Sequence, residues 1–148
     1  MSAVVREARL SESPLSVDRL LALVSDPEVG GIALFVGVVR VHDDESTVRS
    51  LDYSGHPAAG RALRECAERV ATAHDVRLLA IEHRVGHLQV GELAVVVAVG
   101  AVHRGPALAA CADLIDMVKA EVPIWKEQVL ASGESTWVGL PDALGANG

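Results

Sequence analysis

Residues 93–127 read LAVVVAVGAV-HRGPALAACADLIDMVKAEV-PIWKE, and this stretch decides the fold: a strand, a sharp turn, and a helix that returns along the strand. Leu93 to Val102 carries no polar side chain. Such a run suits a strand buried on both faces and is well short of the ~20 residues that span a bilayer. Gly105-Pro106 opens a helix at its first turn, and Pro123 stops it, which predicts a helix over 105–120. At about 100° per residue, Leu108, Cys111, Ala112 and Ile115 form one apolar stripe, and Lys119 falls inside it. Burial there would lower the pKa of a lysine. The same residue lies in the last helical turn, where a cation also complements the helix dipole. His103 and Arg104 stand just before the helix, whose N-terminus favours anions, and Lys126 follows in Pro123-Ile124-Trp125-Lys126. Together these cations point to a pocket for a phosphate-bearing ligand.

Working outward, Val4 to Leu10 reads as a first strand, and Ser16 caps a helix to about Ser25 with Leu20, Leu21 and Val24 inward. Ile32 to Val41 is apolar on both faces until Arg40 and is expected to be a central strand. A polar hairpin region, His42 to Thr47, leads to a strand over Val48–Tyr53. Pro57 opens a helix to about Ala73, with Ala62, Leu63, Cys66, Val70 and Ala71 inward. Strands follow over Val76–His83 and Leu93–Val102, and the tail from Ile124 to Trp137 reads as strand and turn. Strands in runs with helices to one side imply an α+β fold. One domain over 1–140 is expected, with 141–148 as a flexible tail.

Composition narrows the function. The 148 residues carry a formal charge of −7 and only two Trp, one Tyr and one Phe, so the core must be aliphatic. An acidic chain without alternating basic and aromatic residues is not a general nucleic-acid binder. No apolar segment is long enough for a membrane span, and the first residues lack a signal-peptide core, which sets the expectation of a cytoplasmic protein. Cys66 and Cys111 are isolated and read as reduced, half-buried small apolar residues, Cys66 in mid-helix and Cys111 with only weak activating context. His83 and His87 have the spacing of a helical metal pair, but Gly86 intervenes and no further ligands complete a site. No Gly-x-Ser-x-Gly elbow or Gly-rich nucleotide loop is present.

An ordered set of motifs carries a resemblance. It runs through Gly30-Gly31, Phe35-Val36-Gly37-Val38-Val39-Arg40, Leu51-Asp52-Tyr53, His83-Arg84-Val85-Gly86, Gly91-Glu92, Val102-His103-Arg104, Lys119, Pro123-Ile124-Trp125-Lys126-Glu127 and Trp137. Over roughly residues 3–138 the chain resembles the large, catalytic subunits of molybdopterin synthase, the MoaE family. The resemblance implies an α/β hammerhead-type core with an additional antiparallel β subdomain. It implies a sulfurtransferase that converts cyclic pyranopterin monophosphate to molybdopterin. Both sulfurs would come from the thiocarboxylated C-terminal Gly-Gly of a small ubiquitin-like carrier, within a heterotetramer built on a homodimer of this chain. No cofactor and no metal are implied. Neither is a nucleic-acid or membrane partner.

On this resemblance Lys119 is the first candidate for catalysis, as a covalent or acid–base lysine. Lys126 is the second, stabilising negative charge. Arg40, His103 and Arg104 are expected to hold phosphate and pterin, with Val38, Val39, Glu127 and Gln128 offering backbone groups. The family pattern continues after the tyrosine with an acidic residue and an aromatic, where this chain has Ser54, Gly55 and His56. The family can also carry a basic residue in the tail, and here no Lys or Arg follows Lys126. The ending Gly145-Ala146-Asn147-Gly148 lacks the Gly-Gly expected of the carrier itself. Two other readings stay open on the sequence: a non-catalytic anion-binding scaffold of the same fold, and a hydrolase of a phosphorylated small molecule using His103 as base.

Overall fold

The computed structural model describes residues 3–43 and 46–138; the expected tail over 141–148 and residues 44–45 of the predicted hairpin lie outside them. In chain order the described elements are β1 (Val4–Ser11), α1 (Val17–Leu23), β2 (Gly31–Val38), β3 (His42–Asp43), β4 (Ser46–Gly55), α2 (Ala59–Ala73), β5 (Leu78–Arg84), β6 (Gly86–Gln89), β7 (Leu93–Ala101), α3 (Arg104–Glu121), β8 (Ile124–Leu130) and β9 (Ser135–Val138). This is the expected α+β class, in two sheets. The first sheet has the order β1-β5-β7-β2, with β1 parallel to β5 and the other pairs antiparallel. The second has the order β3-β4-β8-β9, with β6 also paired to β4.

The apolar run behaves as its composition requires. From Ala94 to Ala101 every residue of β7 is buried, because helices cover both faces. Val95, Val97 and Val99 meet α2 and α3, and Val96 and Ala98 meet α1. The helix α1 is capped as expected: the Ser16 hydroxyl accepts from the Arg19 N–H at 3.2 Å. Helix α1 is also pinned electrostatically, since Arg19 and Arg9 both reach the buried Glu82, at 3.2 and 2.5 Å. On the other face α2 and α3 are joined by His74–Asp113 and Arg69–Glu121 pairs at 2.9 and 2.6 Å.

Two expectations are corrected. β2 is an edge strand, not a central one. Ala33 is buried and Val36 half-buried, but among the described residues no strand pairs with its outer edge, and Ile32, Leu34, Phe35 and Val38 are exposed. In α3 the buried residues are Ala107, Ala110, Cys111, Leu114 and Val118. The buried stripe is therefore turned by one residue from the predicted one. Leu108 is 60% exposed, Ala112 and Lys119 are exposed, and Ile115 is half-buried. The reason is compositional: apolar residues occupy nearly every face of this helix, so the pattern does not set the phase of the buried side.

The chain leaves the first sheet for the second at Gly86, whose φ of 95° lies in the left-handed region. β5 thus runs almost directly into β6, and the two sheets meet at the C-terminal end of β5. Gly100 answers a different constraint. A Cβ there would lie 2.5 Å from the Val24 carbonyl oxygen and 3.2 Å from Val29, so the segment after α1 can close on β7 only over a glycine. Gly100→Ala is expected to cost about 1–3 kcal/mol in urea unfolding at fixed protein concentration. Gly60→Ala, in α2 with nothing within 4 Å of the new methyl, should be neutral or stabilising by about 0.5–1 kcal/mol.

Candidate functional site

The antiparallel return of α3 along β7 sorts the cationic residues into two groups. β7 ends at Ala101 beside Gly31, the first residue of β2. His103 caps α3 there and Arg104 begins it, and a Cβ on Gly31 would meet the Arg104 Cα at 3.4 Å. Both side chains are exposed. Lys119 is fifteen residues further along α3, about 22 Å along the axis. It arrives at the opposite end of β7, where β2 finishes and Arg40 leaves it. Within one chain, therefore, Arg40, Lys119 and Lys126 occupy one end of the first sheet, and His103 and Arg104 occupy the other.

The lysine end is where the two sheets join. Val39, buried, packs with Leu51, Leu88 and Ala94, and Tyr53 closes over this small core. In the second sheet Tyr53 stands directly opposite Lys126 on β8 and opposite Gly86 on β6. Directly opposed residues share a face of the sheet. Lys126, Tyr53, Leu51 and the buried Gln128 thus lie on the inner face. Glu127 lies on the outer face with its partners Asp52 and Trp137, and Asp52 meets His87 at 3.1 Å.

The predicted backbone donors come out differently. β8 is flanked by β4 and β9 along 126–129, so the backbone groups of Glu127 and Gln128 are committed to ladders on both sides. The backbone of Val39 is also engaged, its N–H donating to the Glu92 carbonyl at 3.0 Å and its carbonyl accepting from Gly91 at 2.8 Å. These three positions do not offer free backbone groups. Val38 is exposed at 51% on the outer edge.

Two residues outside the expected set lie beside Lys126 in the fold. Tyr53 and His83 contact edge to face, with ring centroids 5.0 Å apart and planes at 87°. His83 stands on the helix-covered face of β5, two residues beyond the buried Ile81. The imidazole is pushed from its ordinary 6.5 down to about 4, chiefly by burial and in smaller part by the charge of Lys119, against the hydrogen bond to the Arg84 carbonyl, which raises it. The ring is thus neutral, with Nδ1 2.7 Å from the Arg84 carbonyl. A carbonyl only accepts, so Nδ1 carries the proton and Nε2 the lone pair. Burial likewise raises Tyr53 to about 12. The signal for both was strand parity: Tyr53 is two residues from Leu51 and His83 two from Ile81, each on the inner side.

Neither cysteine is set up as a nucleophile. Both are buried and free, and burial pushes the Cys111 thiol up to about 11 and raises that of Cys66. Among the described residues no helix is long and apolar enough to cross a membrane.

Residues 10–121 match the family model described as MoaE protein. The chain is 42% identical over 132 residues to molybdopterin synthase catalytic subunit 1 of Mycobacterium tuberculosis, covering 88% of this chain and 89% of that one. It is 39% identical over 130 residues to the molybdopterin synthase catalytic subunit of Nostoc, covering 86% and 79%. Among solved structures, molybdopterin synthase from Staphylococcus aureus superposes with a TM-score of 0.84 at 26% identity, covering 90% of this chain and 97% of that chain.

The neutral His83 gives this site a signature in stability. In the unfolded chain the imidazole takes up a proton near its ordinary 6.5, while the folded protein resists until about 4. Between those values unfolding binds a proton, so stability should fall as pH falls, by at most about 1.4 kcal/mol per pH unit. The contribution is constant above that window. Unfolding free energies across it should show this limb in the native protein and a shallower one in His83→Gln.

Proposed function

We propose, from the premise that this chain belongs to the MoaE family, that it is the large, catalytic subunit of a molybdopterin synthase and works as a sulfurtransferase. What supports the reading is the strand order, which brings the end of β2, the last turn of α3 and the start of β8 to one rim, in a chain whose two cysteines are buried and held as thiols. A site of cations without a reactive sulfur can bind an anionic substrate and move protons, and its sulfur must come from outside. The source we propose is the thiocarboxylate on the Gly-Gly end of a small ubiquitin-like carrier. The substrate is cyclic pyranopterin monophosphate, which gains two sulfurs to become molybdopterin, and the setting is the cytoplasm.

In this reading Lys119 is the lysine at which the carrier's carbonyl is handled, by a covalent link or by acid–base transfer. Its position on an exposed helix end suits a group that must meet an arriving tail. Lys126 lies beside Tyr53 on the inner face, placed to stabilise negative charge as it develops. Arg40 holds the substrate's phosphate, as guanidinium matches its geometry.

His103 and Arg104 enter through a second copy of the chain. Among the described residues the outer edge of β2 has no strand partner; Ile32, Leu34, Phe35 and Val38 are exposed on it, and Leu108 is exposed on α3. Two copies related by a twofold axis would oppose their β2 edges antiparallel. The start of one β2, where His103 and Arg104 stand, would then face the end of the other, where Arg40 stands. Each site would draw its lysines from one chain and its His-Arg pair from the other. With one carrier at each site this gives the heterotetramer.

Mixing the protein with thiocarboxylated carrier and precursor, and measuring the dithiolene product, tests the activity. Lys119→Ala should fold normally and lose at least about a hundredfold in turnover; near-normal turnover would remove Lys119 from catalysis. The shared site has its own test. Lys119→Ala and Arg104→Ala homodimers should each be impaired. After subunit exchange the mixture should recover about a quarter of native activity, since half the dimers are mixed and each of those has one intact site. No recovery after verified exchange would place each site within one chain.

A further inference from the structure

We propose that Glu92, anchored by Arg84, is a positioning residue for Arg40: the two side chains fix the turn that grips Val39 and so set the direction in which Arg40 leaves β2. The proposal rests on the reading of Arg40 as the residue that holds the substrate's phosphate, and goes beyond it in naming what holds Arg40. Each link is a hydrogen bond. Arg84, buried on β5, donates to the Glu92 carboxylate at 3.3 Å and reaches the His87 carbonyl at 3.5 Å. The other oxygen of that carboxylate accepts from the Gln89 N–H at 2.7 Å. From the same turn, the Glu92 carbonyl accepts from the Val39 N–H at 3.0 Å, and the Gly91 N–H donates to the Val39 carbonyl at 2.8 Å. Arg40 is the next residue, at an exposed position.

The turn from β6 to β7 does not need this clamp to close. Its backbone already closes it, through the Glu92 N–H to the Gln89 carbonyl at 3.1 Å, with Gly91 at a φ of 94°. Burying a guanidinium beneath it costs hydration that its partners must replace, and the Arg84 Nε is left buried with no hydrogen-bond partner. What the clamp adds is a tie between β5, which carries Arg84, and the exit of β2, which carries Val39. That exit lacks a regular ladder, because the β2–β7 register shifts between Gly37 and Val38. An irregularity of this kind re-aims the side chains beside it, so strand pairing alone does not direct Arg40. Misplacement by about 1 Å can cost a hundredfold in rate. The Gln89 N–H and, after it, Arg84 also hold the Glu92 carboxyl below its ordinary range, as bonds made to a charged carboxylate do.

The test compares Glu92→Ala, which removes both side-chain contacts, with Glu92→Gln, which keeps an acceptor for the Gln89 N–H and loses the charge facing Arg84. Circular dichroism verifies folding, and Glu92→Gln carries each measurement, in the same direction, if the Ala variant unfolds. In the synthase assay Glu92→Ala should raise KM for the precursor about tenfold with kcat within about twofold, and Glu92→Gln should fall between it and the native protein. In an Arg40→Ala background the same substitutions should change KM less than about twofold, because the residue they act through is gone. A change confined to kcat, or equal effects on KM with and without Arg40, would overturn the proposal. A second readout needs no turnover: amide hydrogen exchange followed by NMR. In Glu92→Ala the Val39 amide should speed up at least about tenfold more than those of Val96 and Val97 in β7, whose change measures any global loss of stability. A change at Val39 no larger than in β7 would also overturn it. If the native protein gives no product, the reading of Arg40 fails on its own, and the exchange comparison still decides whether the clamp holds the exit of β2.

Discussion

The structure depends on the burial of one strand. β7 has no polar side chain and cannot face water on either side, so helices must cover both of its faces and strands must pair with both of its edges. Once β7 is central, the turn at His103-Arg104 and the length of α3 leave little choice. The helix runs back over the strand, its first turn stays near the end of β7, and its last turn returns to the beginning. The distance between Arg104 and Lys119 is therefore a consequence of core formation, set by the helix rise of about 1.5 Å per residue. The same strand order puts the end of β2, the end of β5 and the start of β7 at one rim of the sheet. That rim is where Gly86 hands the chain to the second sheet, and where Lys126 and Tyr53 arrive from it.

What the sequence could and could not say follows from these constraints. Local signals were legible because they are local: the Ser16 cap, the proline that ends α3, and the unbroken apolar run of β7 each fix a short piece of backbone. The phase of α3 was not legible, since alanines, leucines and valines surround it and only contact with β2 and β7 selects the buried side. β2 was misread as central because its composition is that of a doubly covered strand, while its place in the chain's own sheet is at the edge. The candidate residues could be named from the sequence, but not their arrangement. Arg40 and Lys119 fall at the rim where the two sheets join, whereas the His-Arg pair next to the helix start lies a helix length away. Tyr53 and His83 stand in the quoted motifs, but nothing in the sequence ties them to the lysines, because an aromatic and a histidine at alternate strand positions look like packing until the two sheets are brought together.

The electrostatics of the rim are compatible with the anionic substrate proposed for this acidic protein. A net charge of −7 acts over the whole surface and is screened beyond about 8–10 Å at physiological salt. Cations gathered at one rim act at contact distance and are little affected by it. Several acidic groups are also turned away or occupied. Glu127 and Asp52 face the outer side of the second sheet, Glu92 is held by Arg84 and the Gln89 N–H, and Glu7 and Glu82 are taken up by Arg9 and Arg19. The neutral state of His83 belongs to the same economy, since it adds an acceptor without adding a charge.

The edge of β2 bears on the proposed dimer from a direction independent of chemistry. A long apolar edge strand is a hazard, because its unpaired backbone groups and side chains invite unlimited association. Proteins usually blunt such an edge with charges, prolines or bulges. Between Gly31 and Val38 there is no charged residue and no proline, and the only irregularity in its pairing falls at the very end, between Gly37 and Val38. Twofold pairing of two such edges is self-limiting, because each copy covers the other's apolar β2 edge. An apolar edge of this kind is consistent with closure by a second copy. The same closure would bring each His-Arg pair to the lysine end of the other chain, so that one interface would both remove the hazard and complete the cationic site.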